Sequence, residues 1–340
     1  MLPITVVGSY PKLPEGSEGP NVRNAINRFE SGRLSVRELE QTVRETVARV
    51  IREQEEAGVD LVTDGQIRWD DLVTPFARDL GSVEIGGLVR YFDNNVYYRR
   101  PLLKGRIWFR GSSLAWEVRQ ARALTRRGLK VALPGPFTFV RLSLDEHYGD
   151  LARALADAAE ALNLEARALA EAGADVIQFD EPALLFDATP DERRLAREAL
   201  ATAREGLGVP VALHTYFRDA GPLFEELAAF PVDILGFDLA SGPDLARRLA
   251  GVRLDQKVTL GLVDGRGWRL EPADELARTI EAVASRQGWD RVLLSPSCGL
   301  EFLPQGRALA KLRRLAEARA LVAGAPSSPS QKEASSWQPS

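Results

Sequence analysis

Three side chains with metal-ligating chemistry stand at comparable places in this 340-residue chain: His214, one of only two histidines, Asp238, and Cys298, the single cysteine. Each closes a short apolar run. One imidazole, one carboxylate and one thiol can hold zinc. Taken singly, each has a plainer role: a hydrogen-bonded histidine, a helix-capping aspartate, a small buried thiol. The three together favour a site. Other apolar runs also end in polar groups, as Gly8-Ser9-Tyr10, Asp64-Gly65-Gln66, Asp180-Glu181, Asp264-Gly265-Arg266 and Ser297-Cys298-Gly299. A purely structural scaffold has little reason to gather such ends, so they read as a pocket.

The elements that must position these residues follow from the alternation of runs and longer helical segments. Eight runs rich in Val, Ile and Leu span 4–10, 59–65, 130–135, 175–181, 209–216, 233–239, 258–265 and 291–299. Their continuous apolar character is what parallel strands covered on both faces require. Eight such units imply an α/β fold, a (β/α)8 barrel, whose chemistry sits at the carboxyl ends of the strands. Ser35-Val36-Arg37-Glu38 reads as a capping box, followed by Leu39, Val43, Val47 and Ile51 on one helix face until Gly58. Thr189-Pro190-Asp191-Glu192 repeats that logic, and 151–170 reads as an outer-ring helix. Between the second and third runs, residues 84–103 alternate around Asp93-Asn94-Asn95, which predicts an inserted hairpin that forms a lid over the barrel mouth. Arg99 and Arg100 on it are expected on a solvated face. One domain should cover 1–322, with 323–340, rich in Ser, Pro, Gln and Lys, as a flexible tail.

Charge excludes some classes of partner. Lys and Arg number 44 against 48 Asp and Glu, a net charge of −4 that leaves no basic excess for a nucleic-acid surface. No stretch approaches the ~20 apolar residues of a bilayer span, and the start lacks a secretory pattern, so a cytoplasmic protein without a membrane partner is expected. A single cysteine permits no intrachain disulfide. No glycine-rich phosphate loop opens a helix.

Val7-Gly8-Ser9-Tyr10-Pro11, Asp180-Glu181-Pro182-Ala183-Leu184 and Ser295-Pro296-Ser297-Cys298-Gly299-Leu300 resemble motifs of the cobalamin-independent methionine synthase family, specifically its catalytic C-terminal barrel. The resemblance spans almost the whole chain outside the tail and hairpin. It implies methyl transfer to the sulfur of homocysteine held as a thiolate on zinc. It also implies zinc ligation by His214, Asp238 and Cys298, with Tyr216 where the family has a further cysteine. Gly8 and Ser9 fall on the family's backbone segment for the amino acid, and Asp180 on one of its two ammonium-binding carboxylates. Gln66 stands where the other is a glutamate. Removing one charged contact costs on the order of 1.5 to 3 kcal/mol, so thiols lacking an ammonium should lose less affinity here than in the family. Thr215-Tyr216-Phe217 and 261–266 look closer to the family's non-catalytic N-terminal copy.

The reading is thus an S-methyltransferase that uses a thiol acceptor and either methyltetrahydrofolate or a corrinoid as methyl donor. Trp69 or Trp108 would stack on a pterin. The rival reading is a barrel of the same family that binds a small ligand or partner without turnover.

Overall fold

The computed structural model describes residues 2–15 and 20–324. Among the described residues ten strands form: β1 (Leu61–Val62), β2 (Leu80–Arg90), β3 (Tyr97–Phe109), β4 (Gly128–Pro134), β5 (Leu144–Asp145), β6 (Val176–Asp180), β7 (Val211–Thr215), β8 (Ile234–Asp238), β9 (Lys257–Val263) and β10 (Val292–Pro296). Seven pair in parallel in the order β1-β4-β6-β7-β8-β9-β10. The N-terminal segment closes the gap between the ends of that row, because Ile4 bridges Leu294 and Thr5 bridges Leu61. Eight parallel members therefore make the barrel.

The first two members are shorter than their apolar runs suggest, and the reason is local. Side chains take over the backbone groups that a ladder would use. Gln54 both donates to the Thr63 carbonyl and accepts from the Thr63 N–H, Thr63 Oγ1 donates to the Gly8 carbonyl, and Gln178 donates to the Val7 carbonyl. Buried backbone groups must be paired, but side chains satisfy the requirement as well as strands do.

Two cores flank the sheet. Leu61, Val176, Ala212, Ile234 and Leu293, from five different strands, form a cluster of their own inside the barrel. The much larger cluster lies between the sheet and the helices. The helix Val36–Glu56 starts at the Ser35 capping box and is stopped by Gly58 at φ +87°. The helix Pro190–Arg204 starts at a second capping box on Thr189, and Leu151–Glu171 is a helix capped by Asp150. All three match the sequence expectation. The last helix, Gln305–Gly324, runs past the expected domain end at 322, and the rest of the expected tail lies outside the described residues. No helix among the described residues is long and apolar enough to cross a membrane.

β2 and β3 pair antiparallel as the inserted hairpin, and β5 adds a short parallel third strand. The turn is held by the Tyr91 N–H on the Val96 carbonyl at 2.9 Å. Its tip reaches across the barrel mouth. Tyr91 packs edge-on against Phe217 after β7, Phe92 packs on Phe186 after β6, and Arg266 after β9 donates to Asn94 at 3.1 Å.

The turn after β1 positions part of the mouth and leaves no room for change. Gly65 has φ +73°, and a Cβ there would lie 2.7 Å from Val50 Cγ1 and 3.0 Å from Tyr10 Cβ. Gly65→Ala combines left-handed strain with overpacking, so a loss of about 2 to 3 kcal/mol is expected. A urea midpoint equal to that of the parent would show that the turn relaxes freely.

Candidate active site

The strand carboxyl ends surround a cleft of about 110 Å³. Its walls come from the segment after Thr5 (Gly8, Ser9, Lys12), the turn after β1 (Gln66, Trp69), the end of β6 (Asp180), the loop after β7 (Tyr216, Phe217), the stretch after β10 (Gly299, Glu301) and the hairpin tip (Tyr91, Tyr97). The Gly8-Ser9-Tyr10 segment is stitched between two others: the Tyr10 N–H donates to the Gly65 carbonyl and the Leu300 N–H to the Ser9 carbonyl. Gly8 approaches so closely that a Cβ would sit 3.1 Å from the Gln66 amide nitrogen. That amide donates to the Ala132 carbonyl at 3.2 Å.

Asp180 is held from below and from the side. Lys130 Nζ donates to Gln178 Oε1 at 2.6 Å, and Gln178 Nε2 donates to Asp180 Oδ1 at 2.7 Å. The Tyr216 hydroxyl donates to Asp180 Oδ2 at 3.1 Å and lies 3.4 Å from the Tyr91 hydroxyl. Burial pushes the Asp180 carboxyl up and the Lys130 ammonium down, each partly offset by the other's charge. A hydrogen-bonded chain thus runs from the barrel interior to the lid.

Glu181 turns away from the cleft. Its carboxylate accepts from the Phe137 and Thr138 N–H groups at 2.9 and 2.6 Å, capping the helix Pro136–Leu142 and tying the loop after β4 to β6. Gly135 leaves the space, since a Cβ there would lie 2.2 Å from the carboxylate.

The structure does not assemble the expected zinc ligands. Among the described residues, no three His, Cys, Asp or Glu side chains converge to hold a metal ion. Asp238 spends both oxygens on the start of the next turn, accepting from the Phe217 N–H, the Ser241 N–H and the Ser241 hydroxyl. The Tyr216 hydroxyl is committed to Asp180. Burial pushes the Cys298 thiol well up, and its hydrogen donates to the Gly299 carbonyl at 3.4 Å. His214 retains a buried Nε2 without a partner, and burial pushes its imidazole down to about 3, so it is neutral. Gly236 makes room for that ring, a Cβ there falling 2.3 Å from Nδ1. None of His214, Asp238 and Cys298 lines the cleft. One unpartnered imidazole nitrogen does not make a zinc site, and these residues as arranged do not fit the ion.

Of the other sequence candidates, Gly8, Ser9, Gln66 and Asp180 meet at one cleft. Trp69 forms its wall, with the indole N–H on Glu117 at 2.9 Å. Trp108 instead covers Gly81 on the hairpin and remains over half exposed. Arg99 and Arg100 stay outside the cleft; Arg99 is exposed, as expected, whereas Arg100 is half-buried and donates to the Ser143 carbonyl at 3.4 Å. Sequence reasoning missed Lys12, Tyr91 and Glu301. Glu301 lies three residues beyond Cys298, just past the apolar run whose end was read as the site.

The fold and cleft define a (β/α)8-barrel enzyme with its candidate site at the carboxyl ends of the strands. The catalytic-domain model of the cobalamin-independent synthase family matches residues 2–320, and the chain belongs to that family. A methionine synthase of Sulfolobus acidocaldarius is 29% identical over 323 residues, covering 95% of this chain and 92% of its own. One of Sulfurisphaera tokodaii is 30% identical, covering 95% and 93%. The solved B12-independent methionine synthase from Shewanella sp. W3-18-1, in complex with selenomethionine, superposes with a TM-score of 0.81 at 25% identity, over 95% of this chain and 98% of that one.

Two outcomes are expected. Burial raises the Glu181 carboxyl from its ordinary value to about 7, against the lowering effect of its three hydrogen bonds. A carboxyl raised on folding binds its proton more tightly in the folded state. Its contribution is then favourable at low pH and is lost as pH rises from about 4.5 to 7. Relative to Glu181→Gln, the parent should lose on the order of 2 to 3 kcal/mol across that interval, read by urea unfolding at pH 4.5 and pH 8. A constant difference would mean that the capped helix holds the carboxylate without strain. Metal analysis of protein purified without chelator should find well under one equivalent of zinc; a full equivalent lost in Cys298→Ser would show that the ligands rearrange around the ion.

Proposed function

We propose that this chain is a methionine-synthase-like methyltransferase whose acceptor is the sulfur of homocysteine or a closely related amino thiol. The observation that carries this is the meeting of Gly8, Ser9 and Asp180 at one enclosed cleft in a chain of this family. The Ser9 segment would hold the substrate carboxylate and Asp180 its ammonium. A carboxylate locked by Gln178 and Tyr216 pays little to become ordered when substrate arrives.

The reaction forms a carbon–sulfur bond as the bond between the methyl group and its donor breaks, and the thiol proton is lost before attack. Holding sulfur and methyl carbon in line supplies most of the rate that positioning can give. The lid formed by Tyr91 and Tyr97 limits water at the cleft, and Trp69 offers an aromatic face to a flat donor. The donor in this reading is methyltetrahydrofolate or a methylated corrinoid.

Incubation with homocysteine and each donor in turn, read by mass spectrometry of methionine, tests the proposal. One donor should give product, and Asp180→Asn should lower kcat/KM by on the order of a hundredfold. Absence of product with both donors, while methionine still binds, would favour a barrel that binds without turnover.

A further inference from the structure

The cleft carries a carboxylate that the family resemblance does not imply, in the same cavity as the position that lost one. Gln66 brings a neutral amide, yet Glu301 lines the same cavity together with Asp180. Glu301 belongs to no helix or strand, and its place follows from two backbone facts. The Leu300 N–H donates to the Ser9 carbonyl, which fixes the stretch after β10 against the first strand segment. The Ser9 hydroxyl then donates to Glu301 Oε2. Beneath this pair lies Gly299, where a Cβ would fall 2.0 Å from Ser9 Oγ and 2.2 Å from Glu301 Oε2. Only a bare Cα lets the carboxylate lie there.

We propose that Glu301 is the specificity-determining carboxylate for the substrate ammonium, supplying from the stretch after β10 the charge that Gln66 lacks. This rests on the amino-thiol reading above. Charge balance supports it. Asp70, Asp71, Asp180 and Glu301 line the cleft with one lining cation, Lys12, which donates to the Trp69 carbonyl and whose charge favours the ionised Glu301; Asp70 is also paired with Arg78 at 3.4 Å, which leaves more carboxylates than cations. A cleft of that sign favours a positive group on its ligand. Asp180 already accepts one hydrogen bond on each oxygen, from Gln178 and from Tyr216, so a second carboxylate adds acceptor capacity for an ammonium with three donors. Protein packed around Glu301 pushes its carboxyl up, while its exposed side chain lets water limit that push. An arriving ammonium would favour the ionised form.

The test compares methionine with 4-(methylthio)butanoate, which keeps the thioether and carboxylate and lacks the amine, by calorimetry on the full chain. The parent should prefer methionine by on the order of tenfold or more, as charge-assisted hydrogen bonds allow. Glu301→Gln should lower that preference by about threefold or more, Asp180 keeping the remainder, while the deaminated compound still binds, which also shows that the variant is folded. A preference kept in Glu301→Gln, or absent from the parent, overturns the role of Glu301 and leaves the amino-thiol reading standing. A parent that binds neither methionine nor homocysteine overturns both.

Discussion

A buried ammonium and a buried carboxylate share the inside of this barrel, and the structure depends on the chain of hydrogen bonds that joins them. Lys130, Gln178 and Asp180 are each nearly inaccessible to water. Placing such groups there is costly unless every one is paired. Gln178 solves the problem by accepting from Lys130 and donating to Asp180, with its second donation going to the Val7 carbonyl. One amide thereby joins the two ionisable groups below the cleft and ties down the first strand segment. The apolar cluster of Leu61, Val176, Ala212, Ile234 and Leu293 isolates this arrangement from the amino ends of the strands.

The same economy shapes the mouth. Where the ladder between the first two barrel members stops, the Thr63 hydroxyl donates to the Gly8 carbonyl and the Gln54 amide to the Thr63 carbonyl, and the freed segment carries Gly8 and Ser9 into the cleft. Across the mouth the hairpin is more than a cover. Its Tyr91 hydroxyl meets that of Tyr216, so closure of the lid and orientation of Asp180 belong to one network.

Tyr216 changes what a family barrel does at this place. It stands where the resemblance implies a cysteine, and its phenol reaches Asp180, with the ring centroid 5.9 Å from that of the His214 imidazole. Asp238 has turned to a capping role on Ser241. The residues implied for substrate binding meet at the cleft, while of those implied for the metal Asp238 and Cys298 have protein partners and the His214 Nε2 has none.

Much of this was legible in the chain alone. The eight apolar runs, the two capping boxes and the hairpin around Asn94 are encoded over windows of a few residues, where periodicity and turn chemistry act without distant partners. The strand ends also announced where polar chemistry would gather. Which of those ends meet was decided by tertiary structure. His214, Asp238 and Cys298 share the right end of the barrel, yet none lines the cleft, and the oxygens of Asp238 and the thiol of Cys298 are taken by nearby protein groups. Glu301 enters it from a stretch with no pattern of its own, because the Leu300 N–H finds the Ser9 carbonyl nearly three hundred residues away. Local sequence sets an element's type and face; only packing sets which partner each polar atom finds first.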